Sequence, residues 1–227
     1  MFYFDYTYVL FMIPCIIISL ICQVRVKSAF SKYSKIPNTR GMTGAQAAEY
    51  VLRHNNVTGV RIEHVSGELT DHYDPRSNVI RLSDSVYNSA TVAAVGVAAH
   101  EAGHAAQYAE NYVPMQIRSA VIPATKVGST LSLPLIILGM IFSIKVLSFA
   151  GVILFGFTVL FQLVTLPVEF NASRRAVAAL ESSGRVSQEG VKSAKKVLTA
   201  AALTYVAALA TALANMVRLM ILIRRRD

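Results

Sequence analysis

Long apolar runs, separated by short polar segments, dominate the pattern of this chain. A helix needs about 20 mostly apolar residues to cross a bilayer, and shorter runs of about 17 are at the lower limit. Four runs reach this length, at residues 8–24, 119–141, 146–166 and 197–217. The tight connection near Ser143 makes the middle two a transmembrane hairpin. The pattern therefore predicts a mainly α membrane protein with about four transmembrane helices.

The polar residues between the first two apolar runs predict a small α+β part. Thr43-Gly44-Ala45-Gln46 matches a capping box and starts a helix that ends near His54. Three short runs are typical of strands, at residues 60–65, 68–73 and 78–82, with a turn between the last two. Such strands either receive an extended peptide at an edge or only pack against a helix, and the pattern favours neither.

An alanine-rich run contains the candidate chemistry. Residues 89–108 lack proline and predict one helix, which includes His100-Glu101-Ala102-Gly103-His104. The two histidines are one turn apart and project from the same face. They are therefore able to bind one Zn²⁺ while Glu101 reaches a water beside the metal. Buried without partners, these side chains would cost several kcal/mol, which favours the metal site over a chance match.

A third metal ligand is expected, because catalytic zinc has three protein ligands and an open position. Glu169 is our preferred candidate, since it is the only acid between Asn111 and Ala179 and follows an apolar run at once. Pro167 is predicted to open a new helix there, so an exposed helix-start carboxylate remains an alternative. The other candidate ligand is Glu110, placed where a longer histidine pattern has its last ligand.

Composition and charge support the membrane interpretation. The 227 residues are 54% hydrophobic, and the mean hydropathy is +0.47. The net charge of +9 comes from basic residues beside the apolar runs, which is typical of contact with lipid headgroups and not with nucleic acid. Cys15 and Cys22 lie in the same apolar run, which leaves no cysteine-based metal or redox site. We expect a lipid bilayer and no nucleic acid among the partners.

Basic residues also predict the topology. The basic connector at 25–40 is expected in the cytoplasm, which places the metal site at the cytoplasmic side of the plasma membrane. The arginines at 224–226 would then lie outside, against the same rule. The predicted segments are an anchor (1–24), a cytoplasmic α+β part with the HExxH helix (25–118), a transmembrane hairpin (119–166), cytoplasmic helices with the third ligand (167–196) and a C-terminal transmembrane or interfacial helix (197–227).

Three motifs together resemble the YugP-type family of membrane zinc metallopeptidases. They are the HExxH run at 100–107, Leu166-Pro167-Val168-Glu169-Phe170-Asn171-Ala172-Ser173-Arg174-Arg175, and Gly67-Glu68-Leu69-Thr70-Asp71-His72-Tyr73-Asp74-Pro75-Arg76. That family is in turn similar to the HtpX and CAAX-prenyl endopeptidases. The resemblance implies a zincin-like, gluzincin-type site with Zn²⁺ held by His100, His104 and Glu169, and with Glu101 as the catalytic base.

The resemblance also implies an oxyanion donor and leaves two departures. Tyr205 lies downstream of the glutamate, where the related endopeptidases place such a donor. The alternative donors are His72, Tyr73 and Arg174. Asn171 stands where the YugP-like pattern has an acid, and Ser173 stands where the endopeptidases have an aspartate. Neither departure changes a predicted metal ligand.

The expected function is that of a membrane-bound zinc-dependent endopeptidase. It would hydrolyse peptide bonds of membrane-associated protein substrates through a zinc-activated water, with Glu101 taking the proton. The alternative is a non-catalytic scaffold whose helices are braced by zinc. A structural zinc is normally closed by four protein ligands, and no convincing fourth ligand is present. Glu101 is not needed for binding alone, which also favours the enzyme.

Overall fold

The computed structural model describes residues 6–224, which form six α-helices and three short strands. The helices are α1 (Ile13–Tyr33, entered through a π-helical turn at Tyr8–Met12), α2 (Gly44–His54), α3 (Val92–Ala109), α4 (Val113–Ile141), α5 (Lys145–Ser183) and α6 (Gln188–Arg224), and the strands are β1 (Arg61–His64), β2 (His72–Asp74) and β3 (Val79–Leu82). Four helices, α1, α4, α5 and α6, are long and apolar enough to cross a membrane. This confirms the predicted mainly α membrane protein with a small sheet.

The chain divides into two compact units. One contains the apolar parts of the long helices, residues 6–22, 116–166 and 204–224 of the described chain. Large apolar side chains such as Ile17, Leu138 and Ile153 remain exposed there, as contact with lipid requires. Within this unit α4 and α5 approach closely, because a Cβ added to Gly151 would lie 2.6 Å from the Ser132 carbonyl oxygen. Small residues at such positions allow membrane helices to pack backbone against backbone.

The second unit, residues 23–115 and 167–203, contains the main hydrophobic core. Its centre is α3, whose alanines are buried on several sides. A Cβ on Gly103 would lie 2.7 Å from the Ala172 carbonyl oxygen of α5, and a Cβ on Gly96 would lie 3.1 Å from Ala194 of α6. These close approaches bring the HExxH helix against both long helices. The helix that carries Glu169 is thereby packed directly on the helix that carries the two histidines.

The sheet has the order β1-β3-β2, with β1 parallel and β2 antiparallel to β3. Strand β3 is therefore paired on both sides, and β1 and β2 are the edge strands of this sheet. The predicted extended run at 68–73 is wrong except at its end. Gly67 and Leu69 have φ values of +115° and +56°, which interrupt an extended chain. The turn after β2 is as predicted, and Asp74 accepts hydrogen bonds from the Arg76 N–H at 3.0 Å and the Ser77 hydroxyl at 2.7 Å.

Local signals for α2 are confirmed in detail. The Thr43 hydroxyl accepts from the Gln46 N–H at 3.3 Å, and the Gln46 side chain accepts from the Thr43 N–H at 3.0 Å. This reciprocal pair satisfies two backbone donors that the start of a helix leaves free. Ala47, Val51 and Leu52 are buried and form the packing face of this helix. Tyr50 is only half-buried and stacks on His54.

Helix α5 corrects the prediction that Pro167 opens a new helix. The helix instead runs without a break from Lys145 to Ser183 and ends before Gly184, whose φ is +59°. A proline inside a helix removes one backbone hydrogen bond, but residues on either side of it are buried, Thr165 before it and Val168 and Glu169 after it. Glu169 is consequently part of the same continuous helix as the preceding apolar run. Helix α6 is continuous in the same way.

Candidate metal centre

His100, His104 and Glu169 meet in the second unit. The His100 Nε2 atom lies 3.2 Å from Glu169 Oε2, and the His104 Nε2 atom lies 3.5 Å from the same oxygen. One potential ligand atom from each of the three residues lies within 4.8 Å of the others. The side chain of Glu169 is 3% exposed, so an acid with no cation beside it would be costly to bury. Packing has joined two residues of one helix to a third residue far along the chain.

The donor set and its spacing fit zinc. Two imidazoles and one carboxylate are the ligands of many catalytic zinc sites. With metal–ligand distances of about 2.0–2.1 Å, tetrahedral ligand atoms lie about 3.3 Å apart. The observed separations between histidine nitrogens and Glu169 Oε2, 3.2 and 3.5 Å, match that spacing. Two of the three ligand separations therefore fit a bound Zn²⁺, and the three side chains together could hold one.

Both histidine rings are held from behind by neutral side chains. The Nδ1 atom of His100 lies 3.1 Å from the Ser173 hydroxyl, and the Nδ1 atom of His104 lies 3.0 Å from Gln107 Oε1. Since Oε1 of a carboxamide only accepts, the His104 Nδ1 atom carries the proton. Its Nε2 atom, 3.5 Å from Glu169 Oε2, is then the ring nitrogen left to bind a metal. This is the tautomer that a metal ligand needs.

Gln107 belongs to a longer hydrogen-bonded chain. Its Nε2 atom donates to the Val168 carbonyl oxygen at 2.7 Å and to Asn171 Oδ1 at 3.0 Å. Asn171 Oδ1 also accepts from the Arg175 Nε at 2.8 Å. Arg175 in turn makes a bidentate pair with Glu110, at 2.8 and 2.7 Å. A network of hydrogen-bonded side chains thus runs from His104 to the protein surface.

This hydrogen-bond network explains several residues whose roles the sequence alone leaves unassigned. Glu110, the alternative third ligand, is paired with Arg175, and that hydrogen bond and charge hold the pKa of Glu110 below its usual range. Asn171 is an acceptor for two donors. The sequence motifs assign no role to Gln107. The signal that could have identified it is its position three residues after His104, where side chains on one helix meet.

Glu101 faces the sheet and not Glu169. Its Oε2 atom accepts from the backbone N–H of Tyr73 in the edge strand β2, at 3.0 Å. Among the described residues its other oxygen, Oε1, makes no hydrogen bond. The Tyr73 ring packs edge-on against Tyr108 of α3, with ring centroids 6.1 Å apart. One oxygen is thereby fixed in place while the other remains able to accept a proton.

Burial and neighbouring acidic groups shift the pKa values of several side chains on and around α3. Burial lowers the pKa of His104, but hydrogen bonding to Glu169 and the charges of Glu169 and Glu101 outweigh it and raise the pKa overall. Burial also raises the pKa of Asp71, which lies within the field of Glu101. For Tyr73, burial and the neighbouring Tyr108 raise the pKa to about 12. The phenol of Tyr73 therefore stays protonated at any physiological pH.

The candidate oxyanion donors have different surroundings. The Tyr73 hydroxyl donates to Asn78 Oδ1 at 2.8 Å, so this donor is already in use. His72 is exposed, and its Nδ1 atom lies 2.8 Å from the Thr70 carbonyl oxygen. Arg174 lines a cavity between α5 and α6. Tyr205 is half-buried on α6 in the other unit, and its role stays a prediction.

Comparison with known proteins agrees with the chemistry of the triad. Residues 8–224 match the family described as "putative neutral zinc metallopeptidase". The chain is 43% identical over 211 residues to a protein of Bacillus subtilis (strain 168) named "Putative membrane protease YugP", covering 92% of this chain and 94% of that protein. No solved structure matches.

Proposed function

We propose that this chain, which belongs to the neutral zinc metallopeptidase family, is a membrane-bound zinc-dependent endopeptidase that cleaves membrane-associated proteins. Family membership and the four apolar helices make it a membrane protein of a zinc peptidase family. The observation that carries the finer proposal is the meeting of His100, His104 and Glu169, with Glu101 one residue beyond the first histidine. The proposed metal ligands are those three residues, and the proposed base is Glu101.

The chemistry of Glu101 follows from its position. Zinc, when bound, supplies Lewis acidity that polarises a carbonyl and lowers the pKa of water. The attacking water adds its oxygen to the peptide carbonyl carbon while Glu101 takes one of its protons. The C–N bond then breaks, and Glu101 returns that proton to the leaving amine. The Tyr73 N–H holds Oε2, which leaves Oε1 for both transfers.

The strand β2 supports a peptide as the substrate. The Tyr73 N–H points from β2 to Glu101, so one side of this edge strand faces the helix that carries the proposed base. An extended peptide alongside this strand would lie next to the proposed base, and it would pair with edge groups other than the Tyr73 N–H, which is bound to Glu101. We further propose that the site faces the cytoplasm at the plasma membrane, because the connector before α2 is rich in Lys and Arg.

The central experiment compares wild type with Glu101→Gln in purified full-length protein. We expect the variant to keep zinc and lose casein hydrolysis by about 10²–10⁴-fold, because the water has lost its base. Glu49→Gln, which changes an exposed acid paired with Arg53, is the matched control and should keep both zinc and activity. Unchanged cleavage by Glu101→Gln would remove Glu101 from the mechanism.

Zinc content identifies the ligands separately from activity. Glu169→Ala should lose stoichiometric zinc, because two histidines rarely hold a catalytic zinc tightly. Glu110→Ala should keep it, since Glu110 contacts Arg175. The reverse result would make Glu110 the third ligand. Full zinc binding with no hydrolysis of casein or of the protein itself, at any tested pH, would favour the scaffold.

A further inference from the structure

A cavity of about 420 Å³ lies between the parts of α5 and α6 that belong to the second unit. Its lining includes Ser173, Arg174, Val177 and Glu181 of α5 and Lys195 and Leu198 of α6. Residues 184–187 join the two helices, so they form a helical hairpin with the cavity along it. The cavity is large for one side chain and open on one side, which is the form of a groove.

The groove lies behind the His100 ring, on the side away from Glu169, and reaches that ring through Ser173. This residue lines the groove, and its hydroxyl lies 3.1 Å from His100 Nδ1. Phe170, the neighbour of Glu169, lines it too. From Ser173 to Glu181 the groove follows eight residues of α5, about 12 Å at 1.5 Å per residue. An extended peptide of three to four residues has about that length.

The lining of the groove combines apolar walls with cations. Val177 and Leu198 provide apolar surface, while Arg174 and Lys195 contribute two positive charges against the single negative charge of Glu181. Throughout the described part of the chain, neither Arg174 nor Lys195 forms an ion pair with a carboxylate. The helical hairpin therefore leaves both cations available to a ligand.

From this geometry we propose that the groove binds the substrate chain on one side of the scissile bond. The substrate class is a peptide with a bulky apolar residue and an acidic residue within about three positions of the cleaved bond. This inference rests on the proposed peptidase activity, which it extends to specificity. Continuity with the metal centre through Ser173 favours a peptide over an anionic lipid, the other ligand that these cations would suit.

Lys195→Glu is the deciding variant, and Lys196→Glu is its matched control. Lys195 lines the groove, whereas its neighbour Lys196 is exposed and does not line it. Full-length zinc-loaded proteins would digest a library of bacterial proteome peptides, with cleavage sites read by mass spectrometry. We expect wild type and Lys196→Glu to favour Asp or Glu near the cleaved bond, and Lys195→Glu to favour Lys or Arg at the same position.

Kinetics on one matched pair of peptides tests the same contact. For a peptide with Glu at the preferred position, Lys195→Glu should lower kcat/KM about fivefold to tenfold, mainly through KM. A peptide with Lys at that position should restore it. Ala178→Trp, which adds bulk at an exposed position of the groove, should raise KM for both peptides. If Lys195→Glu and Lys196→Glu show the same residue preference near the cleaved bond, the groove does not bind the substrate. The proposed peptidase activity would be unaffected.

Binding to the Glu101→Gln protein separates the groove from the chemistry. Immobilised Glu101→Gln protein should retain peptides of the same pattern, and the added Lys195→Glu change should abolish that selection. Selective retention without any cleavage by the wild-type protein would contradict the proposed peptidase activity and support peptide binding in the groove. If the wild-type protein cleaves no peptide and the Glu101→Gln protein retains none selectively, both proposals are wrong. If Lys195→Glu changes only the response to phosphatidylglycerol in nanodiscs, the groove is a lipid site and the proposal is wrong.

Discussion

At the scale of single residues, the candidate site depends on how neutral side chains orient two imidazoles. Ser173 and Gln107 hold the Nδ1 atoms of His100 and His104, so that both Nε2 atoms face Glu169. A carboxylate at either position would add negative charge beside an acid that is already buried. The neutral partners orient the rings without that cost, and Arg175 supplies a positive charge at a distance through Asn171.

Gln107→Leu tests this orientation. The change removes the acceptor for the His104 Nδ1–H and the donor for Val168 and Asn171. Changes of partners behind metal-binding histidines cost about 10–100-fold in metal affinity, and we expect a loss of that size. Competition with a chromophoric chelator measures it.

Gln107→Glu keeps the shape of the side chain but adds the negative charge that the neutral partners avoid. It keeps an acceptor for the His104 Nδ1–H but loses the amide donor to Val168 and Asn171. Its zinc affinity should therefore lie between those of wild type and Gln107→Leu. Equal losses in the two variants would mean that Gln107 matters only for packing.

At the scale of elements, the close packing of α3 on α5 sets the distance between the histidines and Glu169. Gly103 lies one residue before His104, and Ala172 lies one turn from Glu169. A Cβ at position 103 would lie 2.7 Å from the Ala172 carbonyl oxygen, closer than side-chain carbons approach backbone oxygens. Glycine at 103 is thus required by helix contact, and through that contact by the metal site.

Gly103→Ala should separate the two helices at the site. We expect a loss of stability of about 1–3 kcal/mol, as for overpacked cores, together with weaker zinc binding. Thermal unfolding with and without zinc measures both effects. Gly156→Ala in α5 is the control, because nothing lies within 4 Å of its added Cβ, and its stability should stay equal or rise. Unchanged zinc affinity in Gly103→Ala would show that the contact between α3 and α5 does not determine the geometry of the metal site.

At the scale of the whole molecule, function depends on which side of the membrane the site faces. The chain combines a unit of lipid-facing helices with a unit that holds the core, the sheet and the metal centre. The basic connector predicts a cytoplasmic location for the second unit, while the arginines at 224–226, of which only the last two lie outside the described residues, oppose that topology by sequence. The substrates available to the site depend on this orientation.

Labelling of single cysteines in intact cells tests the orientation. With Cys15 and Cys22 replaced, Asn88→Cys and Arg185→Cys place exposed thiols in the second unit. A reagent that cannot cross the membrane should label neither until the cells are opened. Ile144→Cys, at the exposed connection between α4 and α5, should react from outside and serves as the positive control. Labelling of Asn88→Cys from outside would reverse the topology and the cytoplasmic substrate assignment.

What the sequence by itself determined was local. The apolar runs, the capping box of α2 and the helix that carries His100 and His104 follow from residue spacing, because helix periodicity and capping involve neighbours within a few positions. Glu169 could be preferred from sequence as an isolated acid after an apolar run. Only the tertiary structure places its carboxylate 3.2 Å from His100, since that contact joins residues 69 positions apart. Packing likewise decided three further features, which local patterns do not encode. They are the continuous helix through Pro167, the hydrogen-bond network that links Gln107 to Glu110, and the groove beside Ser173.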